Sequence, residues 1–158
     1  SAHLSCDIDL NWIDTTDIDN SNVDRRLADL QAVIVPGGFG SRGVEGKIAA
    51  VRHCREKGLP YLGLCLGFQM AVIEFARNVL GLRDANSTEF RPGCENPVIS
   101  ELPEQKRIEG FGGTMRLGGQ EVLITPGSLA HFLFSKQQGV RERFRHRYEV
   151  DPAYIERF

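Results

Sequence analysis

The first half of the chain alternates between short apolar runs and longer segments with apolar residues on one face. "DIDLNWI", 7–13, places Ile8, Leu10 and Trp12 on one side of an extended strip, which predicts a strand. A polar connection follows. The run 32–35 is apolar, β-branched from Val33 to Val35, and breaks at Pro36-Gly37-Gly38, the pattern of a buried parallel strand. "VEGKIAAVRHCREKG", 44–58, sets Ile48, Val51 and Cys54 on one face and stops at Gly58, which predicts an amphipathic helix with a glycine end. "LPYLGLC" reads as the next strand. "GFQMAVIEFARNVLG", 67–81, is apolar nearly all round and reads as a buried helix.

Strand, helix, strand, helix within about 50 residues is the signature of an α/β fold with parallel strands. The pattern weakens beyond Arg83. "NPVISEL", "QEVLITP" and "FRHRYEV" are candidate strands, and "GSLAHFLF" a candidate short helix. There is no internal repeat and no low-complexity segment.

The chain's 158 residues suffice for one domain with a core. A net charge of −2 argues against nucleic acid as the main partner; the densest basic cluster, "RERFRHRYE" at 141–149, carries two glutamates. No apolar run approaches the roughly 20 residues that span a bilayer, and the first residues lack the form of a signal peptide. Four cysteines without a CxxC pair fit a reducing cytoplasm better than a disulfide or zinc framework. The 17 glycines exceed the usual share of about 7%. They gather in "PGGFGSRGVEG", "GLCLG" and "EGFGGTMRLGG", where backbone must turn tightly or approach a ligand.

"GLCLG" joins a predicted strand to a predicted helix around Cys65. A G-x-C-x-G turn of this kind is the cysteine form of the nucleophile elbow. It lifts the side chain above the sheet edge and aims the amino end of the next helix at the sulfur, which favours thiolate. The N–H of Leu66 can then face an oxyanion. The alternative is a buried structural cysteine. The Gly37-Gly38 turn ends a parallel strand and so lies at the same edge, where ligands bind. It can offer a second N–H, or be an ordinary turn. Gln69, one helical turn after Cys65, is a polar residue in an apolar helix on the elbow's side; the plain alternative is a solvent-facing glutamine.

Taken in order, "PGGFGSRGVEG", "YLGLCLGFQMAVIEFARNVLG", "NSTEF", "GGTMRLG", "PGSLAH" and "RHRYEVDP" resemble the glutaminase domain of CTP synthase, a class I glutamine amidotransferase, over residues 1–158. The resemblance implies a flavodoxin-like, three-layer α/β domain with a mostly parallel central sheet. It implies that Cys65 attacks the side-chain carbonyl of L-glutamine, releases ammonia and forms a thioester that water cleaves to glutamate. The ammonia would serve ATP-dependent amination of UTP to CTP in a synthetase domain, with ATP and Mg there and no cofactor in this chain. The oxyanion would lie between the Gly37-Gly38 turn and Leu66. Gly38, Gln69, Glu89 and Arg147 would hold glutamine. Glu89 supplies an acceptor for its ammonium and Arg147 a fork for its carboxylate; read alone, each is a surface charge. A homotetramer and GTP activation complete what the resemblance implies; the cytoplasmic location rests on the cysteine usage.

Two positions depart from the family's "RHRHRYEVN": Phe144 stands for His and Asp151 for Asn. Strand alternation puts Arg145 and Arg147 on one face and Phe144 and His146 on the other, so Phe144 leaves the glutamine site undisturbed.

A thiol attack needs a base oriented by a third group. The family supplies it in a C-terminal "FHPE"-type segment, and this chain ends at "DPAYIERF" without one. No Walker motif is present either. The expectation is a partial domain lacking that segment and the synthetase half. His53 is expected at the edge of the sheet opposite the thiol, and His146 on the face away from Arg147. His131 has no clear place, and His3 lies near a terminus. Two other readings compete. One is a non-catalytic module of the same fold that binds glutamine or a partner. The other is a different cysteine-elbow hydrolase, which leaves Glu89, Arg147 and "GGTMRLG" unexplained.

Overall fold

The computed structural model describes residues 5–101 and 116–158. The chain divides into two compact units, 1–83 and 84–158.

In the first unit, a short helix α1 (Val23–Arg26) precedes β1 (Val33–Val35), α2 (Val44–Lys57), β2 (Tyr61–Gly63) and α3 (Leu66–Asn78). β1 and β2 pair in parallel, with Val33 opposite Tyr61 and Val35 opposite Gly63. This is the expected strand–helix–strand–helix order. α2 buries Ile48, Val51 and Cys54 and ends at Gly58 in the left-handed conformation, φ 68°. α3 buries Leu66, Met70, Val72, Ile73 and Ala76 but leaves Phe68 exposed. The sheet is less enclosed than its apolar composition predicts: Val35 is buried, while Ile34 and Leu62 are 60% and 53% exposed.

The two helices are tied by charge as well as packing. Glu74 on α3 is 1% exposed and takes a two-nitrogen grip from Arg55 on α2, at 2.8 and 3.0 Å. Asn78 adds a third donor to the same carboxylate. A buried carboxylate needs such partners, because leaving it bare costs several kcal/mol, roughly 3–5.

The polar connection before β1 folds onto α2. Ile18, Val23 and Leu27 pack with Ala49 and Ala50 in one buried cluster. A side chain at Gly46 would collide with the Thr15 carbonyl oxygen, its Cβ only 2.0 Å away, so this helical glycine admits the crossing backbone. The predicted strand over 7–13 does not form. Residues 6–14 carry no regular structure, and Ile8, Leu10 and Trp12 are 71%, 64% and 85% exposed. Their alternation marks an apolar strip, but no strand pairs with it among the described residues.

The second unit holds β3 (Ala85–Ser87), β4 (Asn96–Glu101), β5 (Arg116–Leu123), α4 (Leu129–Leu133), β6 (Gly139–His146), β7 (Tyr148–Val150) and α5 (Pro152–Ile155). β3 and β4 are parallel, β7 adds antiparallel to β4, and β5 and β6 form an antiparallel pair. The candidate segments beyond Arg83 thus become strands and a short helix, in a mix of parallel and antiparallel pairings. "FRHRYEV" becomes two strands broken at Arg147. Most of "GGTMRLG", together with His3, lies outside the described residues.

Candidate functional site

Cys65 stands between the end of β2 and the first turn of α3, as the residue that caps the helix. Its backbone has φ 52° and ψ −104°, a conformation that side-chain-bearing residues rarely adopt. Such local strain persists only when the surroundings enforce it. The enforcing contacts are close by. Leu64 N–H donates to the Val35 carbonyl at 2.9 Å, and Gly67 N–H donates to the Leu64 carbonyl at 3.0 Å, closing the turn. The Tyr61 hydroxyl donates to the Gly67 carbonyl at 2.8 Å.

Both glycines of the G-x-C-x-G turn are sterically required. A Cβ on Gly63 would lie 2.6 Å from the backbone of Gly67 and Phe68, and one on Gly67 would lie 2.1 Å from the Val35 carbonyl oxygen. Strand and helix approach so closely that no side chain fits between them. The consequence is that Cys65 is thrust outward, and it is exposed. The alternative of a buried structural cysteine describes Cys54 and Cys94 instead. Burial pushes the Cys54 thiol up to about 11.

The Gly37-Gly38 turn lies against the elbow, as the parallel pairing requires. A Cβ on Gly37 would be 3.4 Å from that of Cys65, and one on Gly38 would be 3.2 Å from the Leu66 side chain. Leu66 opens α3, so its N–H belongs to the first turn, whose donors have no partner within the helix. Gln69 is 7% exposed rather than solvent-facing, and its N–H donates to the Cys65 carbonyl at 3.1 Å. The first unit therefore brings Gly37, Gly38, Cys65, Leu66 and Gln69 together.

Glu89 and Arg147 belong to the second unit. Glu89 is half-buried on the turn after β3. Ser87, fully buried, organises that turn. Its hydroxyl accepts the Glu89 N–H at 3.2 Å, and its carbonyl accepts those of Phe90 and Arg91. Ser87 was not singled out from the sequence as the organiser of this turn, although the turn-forming cluster "NST" is the signal that could have revealed it. Arg147 is exposed at the bend between β6 and β7. Within β6, Arg145 is exposed while Phe144 and His146 are half-buried with ring centroids 5.4 Å apart, as alternation predicts; Arg147 itself lies off that strand. Asp151, the other departure, accepts from Ser100 through one oxygen and from the Ala153 N–H through the second, capping α5.

The three histidines among the described residues have partners of their own. His53 is 8% exposed near the end of α2, with Nδ1 2.7 Å from the Asp24 carboxylate. His131 Nδ1 accepts the Gly127 N–H at 3.3 Å, beside the Ser128 cap of α4. His146 pairs with Glu149.

The chain is similar to proteins already known. The family described as glutamine amidotransferase class-I matches residues 1–157. CTP synthase of Archaeoglobus fulgidus is 55% identical over 152 residues, 96% of this chain and 28% of that protein. CTP synthase of Thermus thermophilus is 52% identical over 149 residues, 94% of this chain and 27% of that protein. The chain thus spans little more than a quarter of these curated relatives. The solved glutaminase domain of Trypanosoma brucei CTP synthase, with bound acivicin, superposes with a TM-score of 0.89 at 39% identity, covering 98% of this chain and 59% of that one. With its α/β architecture and a family match over almost every residue, the chain belongs to the class-I glutamine amidotransferases, and its likeness to the glutaminase domain of CTP synthase runs nearly its whole length.

Proposed function

We propose that this chain hydrolyses L-glutamine through Cys65 to supply ammonia for the amination of UTP to CTP. The observation that carries the reading is the exposed, strained Cys65 held between two sterically obligatory glycines against the Gly37-Gly38 turn. The Cys65 sulfur bonds to the side-chain carbonyl carbon of glutamine, and the C–N bond breaks. The proton given up by the thiol passes to the nitrogen, which leaves as ammonia. Water then cleaves the thioester to glutamate and the free thiol. Backbone N–H groups of the Gly37-Gly38 turn and of Leu66 stabilise the oxyanion formed in both steps. Gly38, Gln69, Glu89 and Arg147 hold the substrate. Glu89 faces the ammonium and Arg147 forks the carboxylate.

In this reading His53 is not the base: it lies near the end of α2, ahead of β2, whereas Cys65 follows the far end of that strand. Amination of UTP belongs to a synthetase domain, where ATP and Mg2+ are used; that domain is the partner of this one, in a homotetramer. In the whole protein, Cys65→Ala abolishes glutamine-dependent CTP formation and leaves formation from added ammonia intact. Equal loss of both would contradict the reading. Glutamine binding without any ammonia release by the unaltered whole protein would favour a binding module of the same fold.

A further inference from the structure

Arg147 stands where the chain changes sheets. Up to His146 the strand pairs with β5, Arg145 opposite Leu117 and His146 opposite Arg116. From Tyr148 onward it pairs with β4, Tyr148 opposite Glu101 and Glu149 opposite Ser100. Arg147 is the one residue between the two ladders, and a strand that switches sheets does so through a bend. Ladder hydrogen bonds fix their own residues but not a residue that falls between them. Its direction depends on what holds the two ladder ends together.

A side-chain pair spans the bend. His146 Nε2 lies 3.1 Å from Glu149 Oε1, and the two residues are only 21% and 17% exposed. The His146 N–H donates to the carboxylate in a setting shielded from water, where such a bond is worth more than an exposed ion pair. The His146 ring also packs against Phe144 on its own strand. The last residue of β6 is thereby fastened to the middle of β7, with Arg147 enclosed in the loop.

We infer that the His146–Glu149 pair is a brace across the sheet switch that sets the direction of Arg147, making both of them positioning residues for recognition of the amino-acid carboxylate of glutamine. This rests on the reading that Arg147 binds that carboxylate. Neither His146 nor Glu149 touches substrate in this account; both act through the arginine.

The test is calorimetric binding of two ligands, with Cys65→Ala as the background so that glutamine is not consumed. The ligands are L-glutamine and γ-aminobutyramide, which keeps the amide and the amine but lacks the carboxylate. Arg147→Ala weakens L-glutamine about tenfold and leaves γ-aminobutyramide unchanged. Glu149→Ala does the same, because the guanidinium is no longer aimed. Glu149→Gln restores binding, since its side-chain oxygen still accepts from His146. If Glu149→Ala does not fold, His146→Phe carries the same test from the other end of the pair. Wild-type affinity for L-glutamine in Glu149→Ala, or equal loss of both ligands, or no rescue by Glu149→Gln, would overturn the brace. Wild-type affinity in Arg147→Ala would instead overturn the underlying reading of the arginine.

Discussion

A Cβ placed on Gly67 would stand 2.1 Å from the carbonyl oxygen of Val35. That one distance explains why the elbow is built as it is. The first turn of α3 rests directly on the end of β1, and the same Val35 carbonyl accepts the Leu64 N–H at 2.9 Å. Gly67→Ala must push helix and strand apart, and no flexible side chain is available to yield. The substitution should cost roughly 3 kcal/mol or more of stability, measured by denaturant unfolding. A loss below about 1 kcal/mol would mean that the close approach is not what fixes the turn.

The thiols should separate by burial. Cys6 and Cys65 are exposed, whereas Cys54 and Cys94 are buried, and the Cys54 thiol is pushed up to about 11. Near neutral pH, iodoacetamide should alkylate Cys6 and Cys65 in the folded chain and reach the other two only after denaturation. Peptide mass mapping reads this directly. Rapid native labelling of Cys54 would contradict the packing of α2.

The tether between α1 and α2 should give a pH-dependent contribution to stability. The hydrogen bond to His53, reinforced by the charge of Lys57, lowers the Asp24 carboxyl below its ordinary value of 3.8. A carboxyl depressed in the folded state stabilises at pH above its unfolded value and loses that contribution as pH falls through the folded one. Asp24→Asn should therefore lower the melting temperature near neutral pH. The gap to wild type should close as pH falls below 3.8 and through the lowered folded-state value. A gap that persists unchanged in acid would place the stabilisation elsewhere.

Much of this was legible in the chain, for reasons that particular residues make plain. α2 could be read because Ile48, Val51 and Cys54 recur at helical spacing and Gly58 stops them. The elbow could be read because only close backbone approach asks for glycine on both sides of a cysteine at a strand end. The strip Ile8, Leu10, Trp12 misled because alternation reports which side chains share a face, not whether a neighbouring strand exists. The break at Arg147 was hidden for a related reason. "FRHRYEV" is one continuous β pattern, and the switch is decided by distant partners, 116–123 before it and 96–101 after it. Gln69 was open between substrate side and solvent, and packing of α3 buried it.

The central claim is that Cys65 is the nucleophile of a glutamine site. It is tested most directly by an L-glutamine analogue carrying a chloromethyl ketone in place of the amide, whose chloride the thiol displaces. Intact and peptide mass analysis should find one adduct, on Cys65, that excess L-glutamine suppresses and Cys65→Ala eliminates. An adduct on Cys65 that glutamine does not suppress, or modification confined to another cysteine, would contradict the account.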